Sequence, residues 1–214
     1  MQSPFHHPKT VPFYKKTYKA FACDSVLCGG DETDNKFLKF MSINDPISAE
    51  RQHKLAKGFL QRMNDEFGPM KVCNSNHVQD RIMNAAAAAN IPEFMLKTKQ
   101  ECFGVPWDWQ DFHIVDGVRY EHGHRYGGMK PHEIAIEKNF RSVVMGHHPI
   151  LAVKYIMRGG KLYFGACGGA MVVHHNDARM GFGMKYAKRY ATEMPLGCLV
   201  IIDGQVVIPV PFLG

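Results

Sequence analysis

Val26-Leu27-Cys28-Gly29-Gly30-Asp31-Glu32-Thr33-Asp34 is the stretch around which the chain is organised. The apolar run Val26 to Cys28 reads as a buried strand, and two glycines end it. Asp31 then stands at the strand's carboxyl end, where open α/β sheets carry their chemistry. Gly29 and Gly30 permit a sharp turn and leave the carboxylate unscreened by a neighbouring Cβ. Taken alone, the segment reads equally as an acidic loop after a strand. Three later segments change that reading, because each ends an apolar run in a metal-capable side chain: Asn76-His77, His122-Gly123-His124 and Gly146-His147-His148.

Working outward, residues 11–22 read as a short helix that feeds the strand, and residues 35–46 give no assignable pattern. Ser48 to Glu66 carries the clearest helical period, with Leu55, Phe59, Leu60 and Met63 on one apolar face, Ser48 as cap and Gly68-Pro69 as stop. Met70 to Cys73 reads as a strand, and Arg81 to Ala89 as a helix with its five alanines as a packing face. Phe112 to Val115, Asp116-Gly117 and Val118 to Glu121 read as a hairpin that delivers His122, with Trp107, Trp109, Phe112 and Tyr120 in its core. Pro131 starts a short helix through Lys138, and Ser142 to Met145 is a further strand. Beyond it, short strands alternate with glycine turns at Gly159-Gly160 and Asp203-Gly204, which suggests a second, antiparallel sheet. Gly165 to Ala170 reads as tight turns near the site, since it lacks the Lys-Ser/Thr of a phosphate-binding loop.

The 214 residues fit one domain, 1–214, with a sizeable core, and 45% hydrophobic and 21% charged residues describe an ordinary globular chain. No apolar run approaches the ~18 residues of a membrane span. The amino terminus lacks a secretory pattern. The six cysteines have no C-x-x-C spacing, which points to reduced core thiols and a cytoplasmic protein. A formal charge of +6 favours anionic partners, but the basic residues are scattered. Twelve histidines, clustered at strand ends, point to metal chemistry.

Asp, Asn and His brought to one sheet edge suit a hard or borderline divalent ion: manganese first, with iron, zinc or magnesium as alternatives. The order of these motifs resembles the calcineurin-like metallophosphoesterases, whose pattern is D-x-H, G-D-x-x-D, G-N-H-D/E, H and G-H-x-H. Gly30-Asp31-Glu32-Thr33-Asp34 matches the second motif in full. Ser75-Asn76-His77-Val78 matches the Asn-His core of the third. His122-Gly123 matches the isolated histidine, and Gly146-His147 matches the start of the last motif. The resemblance spans nearly the whole chain and is closest to the small phosphoesterases of bacteriophages and bacteria.

The resemblance implies a four-layer α/β fold, a two-sheet β-sandwich flanked by helices. It implies that Asp31 bridges two metals and that Asn76, His122 and His147 complete one of the two sites. His77 would protonate the leaving oxygen, with Asp34 orienting it. His148, His124 and Arg81 are further candidates for ligation or substrate contact. Departures are equally specific. Pro4 and Phe5 fall in the register that follows the first motif, which puts Gln2 in the place of its histidine and its Asp just before Met1. Pro149 replaces the second histidine of the last motif, Val78 the acidic residue of the third, and Ser75 its glycine. The expectation is therefore a missing first strand and one intact ion site, with one or two ions bound.

The implied function is metal-dependent hydrolysis of a phosphomonoester or phosphodiester, with a nucleotide or nucleic acid among the candidate substrates. The implied compartment is the cytoplasm, the host's if the gene is phage-borne. The alternative is a non-catalytic protein that binds a metal or a phosphate on a degenerate site. His174 and His175 read as a surface pair.

Overall fold

The computed structural model describes residues 1–38, 47–173 and 194–214. Helix α1 (Thr10–Ala20) precedes β1 (Leu27–Cys28), and a 3₁₀ turn (Lys36–Leu38) follows the Asp31 segment. Helix α2 (Ala49–Phe67) is capped by the Ser48 side chain, which accepts from the Arg51 amide, and it ends at Gly68. Strand β2 (Lys71–Cys73), α3 (Arg81–Ala88), α4 (Lys99–Phe103) and β3 (Asp108–Gln110) follow. The hairpin β4 (Phe112–Val115) and β5 (Val118–Glu121) turns on Asp116 and Gly117, both at positive φ, as a two-residue hairpin with right-handed strand twist needs. Next come α5 (Pro131–Asn139), β6 (Val143–Met145), β7 (Leu151–Arg158), β8 (Lys161–Gly168), β9 (Gly197–Ile202) and β10 (Val206–Pro211).

The fold is mixed α/β, and the described strands form three sheets where the sequence led to two. One is parallel, β1-β2-β3; one is mixed, β4-β5-β6-β8-β7; the third is the antiparallel pair β9-β10. The second sheet is therefore only partly antiparallel: β5-β6 and β6-β8 run parallel, which is how their carboxyl ends come to share one edge. Apolar side chains pack on both sides of the parallel sheet, as its short unbroken apolar runs require. Phe59, Leu60, Met63, Val72 and Trp107 fill one layer, and Cys73, Tyr120, Phe164, Ala166 and Val207 fill the other.

Several readings change. On α2 the buried stripe is Gln52, Ala56, Phe59, Leu60 and Met63, and Leu55 falls to its side, exposed. Of the five alanines only Ala86 is buried, since α3 presents just one narrow strip inward. Phe112 lies on the outer face of its hairpin, covered by the Arg119 guanidinium 3.8 Å from its ring centre. The glycine-rich run 165–168 belongs to β8 and is no turn. All six cysteines are free thiols. No described helix is long and apolar enough to cross a membrane. His174 and His175 lie outside the described residues.

Candidate metal centre

Four strand ends supply the site. Asp31 follows β1, Asn76 opens a π-helical turn (Asn76–Asp80) after β2, His122 follows β5, and His147 follows β6. Glycines make their convergence sterically feasible. A Cβ on Gly30, which sits at φ +90, would stand 2.7 Å from His122 Nδ1. A Cβ on Gly146 would stand 2.4 Å from the Gly29 carbonyl oxygen, so the ends of β1 and β6 touch only because both positions lack side chains. Asp31 and His147 themselves hold φ of 53 and 54. Left-handed backbone at two non-glycine residues costs of order 1–3 kcal/mol each, a cost that clusters at functional sites.

His122 is fully buried, and its Nδ1 lies 2.8 Å from the Gly29 carbonyl oxygen. A carbonyl only accepts, so Nδ1 carries the proton and Nε2 presents a lone pair. That lone pair faces Asn76 Oδ1 at 2.8 Å, His147 Nδ1 at 3.2 Å and Asp31 Oδ1 at 3.3 Å. Burial holds the His122 pKa below its ordinary value, although the Asp31 charge pulls the other way. The ring is therefore neutral. Four electron-pair donors then meet at one point with at most one proton, that of His147, to share. Asp31 Oδ1 is buried and accepts no hydrogen bond.

These separations suit a cation. Two donors about 2.1 Å from one ion, at tetrahedral or octahedral angles, stand roughly 3.0–3.4 Å apart. Asp31, His122 and His147 each offer an atom within 4.8 Å of the others, and Asn76 closes the set. Burial alone would raise the Asp31 carboxyl; the imidazoles of His122 and His77 and the Met1 ammonium outweigh it and hold the group below its ordinary pKa. Asp31 is thus an ionised carboxylate, the form an ion needs. His147 is the open member, and its pKa is also held down, by the packing of its ring and then by His122.

No protein-family model matches this chain, and no curated protein matches it. The geometry of the chain's own residues therefore carries the functional argument.

His77 follows Asn76 in sequence but faces another way. Its Nδ1 lies 2.9 Å from Asp34 Oδ1, with both residues buried, which leaves Nε2 as the ring nitrogen open to a substrate. The Arg81 guanidinium bonds the Asp34 carbonyl and lies 3.4 Å from its carboxylate, so it braces Asp34 and does not reach toward the ion position. His124 lies 3.9 Å from the Asp80 carboxylate, and His148 Nε2 lies 3.3 Å from the Gly123 carbonyl oxygen; neither points into the set of four. Their rings nonetheless flank it, with centres 5.5 Å (His124) from His122 and 4.9 Å (His148) from His147.

Gln2 lies beside Asp31. Residues 1–3 run parallel to 31–33 through a Ser3–Thr33 bridge, with the Gln2 amide donating to the Asp31 carbonyl. The Gln2 side chain lies 3.4 Å from Asp31 Oδ2. Glu32 was not singled out by the sequence. It is fully buried, and its Oε1 accepts from Trp109 Nε1 at 2.8 Å, tying the Asp31 loop to β3. A half-buried Trp109 whose N–H needs an acceptor is the one signal that could have found it.

Proposed function

We propose that the chain is a metal-dependent phosphoesterase, and that Asp31, Asn76, His122 and His147 hold a divalent ion. The observation that carries the reading is the His122 Nε2 lone pair facing three further donor atoms with no proton between it and Asp31 or Asn76. Carboxylate, amide oxygen and two imidazoles without thiolate suit manganese, iron or zinc better than a soft metal. An ion held there supplies Lewis-acid polarisation of a phosphoryl oxygen and a bound water of lowered pKa.

The chain's own groups supply the rest. Asp34, accepting from His77 Nδ1–H, fixes the ring's orientation and leaves Nε2 aimed outward, so a proton carried there faces the cavity. A leaving alkoxide within reach of that proton departs as an alcohol. Arg81 holds Asp34 in place from the other side. His77 and His147 both border the same cavity, so a phosphate ester entering it meets the acid and the ion position together.

The fold that goes with this reading is a four-layer sandwich, two sheets flanked by helices. The substrate is a phosphomonoester or phosphodiester, a nucleotide or nucleic acid included. Manganese-dependent release of nitrophenolate from bis-nitrophenyl phosphate tests the reading. Turnover abolished by chelation and by His122→Ala supports it. Tight ion binding without turnover of any phosphate ester would instead make the chain a metal-binding protein on a degenerate site.

A further inference from the structure

The β7-β8 hairpin reaches past the strand that carries it. Strand β6 pairs with β8 only at Gly165, Ala166 and Cys167. Lys161–Phe164 and their partners Tyr155–Arg158 therefore run on beyond β6, for about 13 Å. A Cβ on Gly159 or Gly160 at the turn would meet no atom within 4 Å, so the tip stands in open space. Strand β7 is the last of its sheet, and among the described residues it pairs with β8 alone. Its outer edge carries a row of N–H and C=O groups with no ladder partner there. The sheet's other edge, β4, is half as long and leans on the parallel sheet through the His113 bond to the Val72 carbonyl.

Successive residues of β7 face opposite ways. Lys154, Ile156 and Arg158 share one face, where the Arg158 guanidinium lies 4.5 Å over the Phe140 ring just past α5. Phe140 is exposed and holds φ 50, at a helix end where glycine is the usual residue, so an aromatic is kept beside this edge at a cost in backbone strain. Tyr155 and Met157 share the other face, where the Tyr155 hydroxyl accepts from the Val207 amide of β10. Met157 pairs across the hairpin with Leu162, and both are exposed. Lys154 and Arg158 are exposed too, and neither forms an ion pair among the described residues. Neither β7 nor β8 contains an acidic residue.

The register with β8 runs unbroken through eight pairs, with no bulge or proline to blunt the edge. The charges choose what can pair with it. A second β7 laid antiparallel would set Lys154 against Arg158, or would leave both cations without a carboxylate, and like charges across a ladder destabilise it. We propose that the outer edge of β7 accepts an extended acidic and apolar segment of a partner protein as an added strand. Its carboxylates stand opposite Lys154 and Arg158, and its apolar side chains stand opposite Tyr155 and Met157. The inference is independent of the phosphoesterase reading. It needs no ion, and the hairpin tip lies at the amino end of β8, whereas His147 follows the carboxyl end of its parallel neighbour β6.

The test uses short soluble peptides built on Glu-Val-Thr-Val-Glu, which reads alike in both directions and so fits a parallel or an antiparallel ladder. Three controls accompany it: the isomer Glu-Glu-Val-Thr-Val, the charge-reversed Lys-Val-Thr-Val-Lys, and the parent peptide N-methylated at alternate amides on each edge in turn. Titration should show the parent peptide binding at least roughly fivefold tighter than the isomer or the charge-reversed form. One of the two N-methylated forms should lose binding and the other keep it, since a strand pairs through one edge. Hydrogen exchange should slow at alternate amides of residues 153–158. In a protein carrying both Lys154→Glu and Arg158→Glu, the preference should invert toward the lysine peptide, with the melting temperature showing that the fold is intact. Absence of binding by every peptide, equal binding of the isomers, or no inversion in the double variant would overturn the proposal. So would self-association of the chain through β7, or capture on phosphatidylserine vesicles that the parent peptide does not displace.

Discussion

His122 donates its Nδ1–H to the Gly29 carbonyl at 2.8 Å, and this one contact decides what the opposite ring nitrogen can do. A histidine that spends its only proton on a backbone carbonyl offers a bare lone pair at Nε2, which is how a ligating imidazole is held by its outer-shell partner. Gly29 follows β1 and His122 follows β5, so the bond also ties two sheets together at the site.

The acid role of His77 predicts a dependence on leaving group. His77→Ala should lower turnover of an alkyl phosphate ester by roughly 10²–10⁴-fold, and that of a nitrophenyl ester much less, because nitrophenolate leaves without a proton. Metal content should not change, since His77 bonds Asp34 and no atom of the ion set. Kinetics on both esters, with elemental analysis alongside, checks this. Equal losses, or loss of metal, would remove His77 from the acid role.

Gly146→Ala tests the contact that brings β1 and β6 together. Its Cβ would stand 2.4 Å from the Gly29 carbonyl oxygen, and backbone cannot swing aside as a flexible side chain can. A destabilisation of about 1–3 kcal/mol is expected from the overpacking, read by urea unfolding. Because the displaced carbonyl is the one that holds His122, ion affinity should fall as well. A variant as stable and as tight as the parent would contradict the geometry.

His6 predicts how stability varies with pH. Its ring stacks on Phe59 with centres 3.7 Å apart, and burial, then the Met1 ammonium and Arg62, push its pKa down to about 4. The folded-state value lies below the unfolded one, so the unfolded chain binds more protons between them. Stability from this group is full above pH ~6.5 and falls as pH drops toward 4. Between pH 7 and pH 5 the parent should lose about 1–2 kcal/mol more than His6→Gln. Urea midpoints at the two pH values measure it, and identical losses would refute it.

Local features were the most legible in the sequence. Ser48 and Gly68 bracket α2, and Asp116-Gly117 forms its turn, because capping and hairpin chemistry act over a few residues. The four converging residues Asp31, Asn76, His122 and His147 were legible because each follows an apolar run. What was hidden is what only packing decides. Nothing in the local pattern shows that Leu55 falls outside the buried stripe, or that Arg81 turns onto Asp34. The split into three sheets was equally hidden, because which strands pair is decided by long-range packing and not by local pattern.

The most direct measurement is the ion itself. The protein is equilibrated with manganese, dialysed, and analysed for metal per chain, with Asp31→Asn and His122→Ala in parallel. About one equivalent should remain on the parent, since one set of four donors converges among the described residues. His124 and His148 are turned to Asp80 and Gly123 and should not hold a second ion tightly. Each variant should bind more weakly by at least the roughly 10–100-fold that losing an outer-shell partner costs. A parent that retains no manganese, iron or zinc, or a His122→Ala variant that binds as the parent does, would contradict the account.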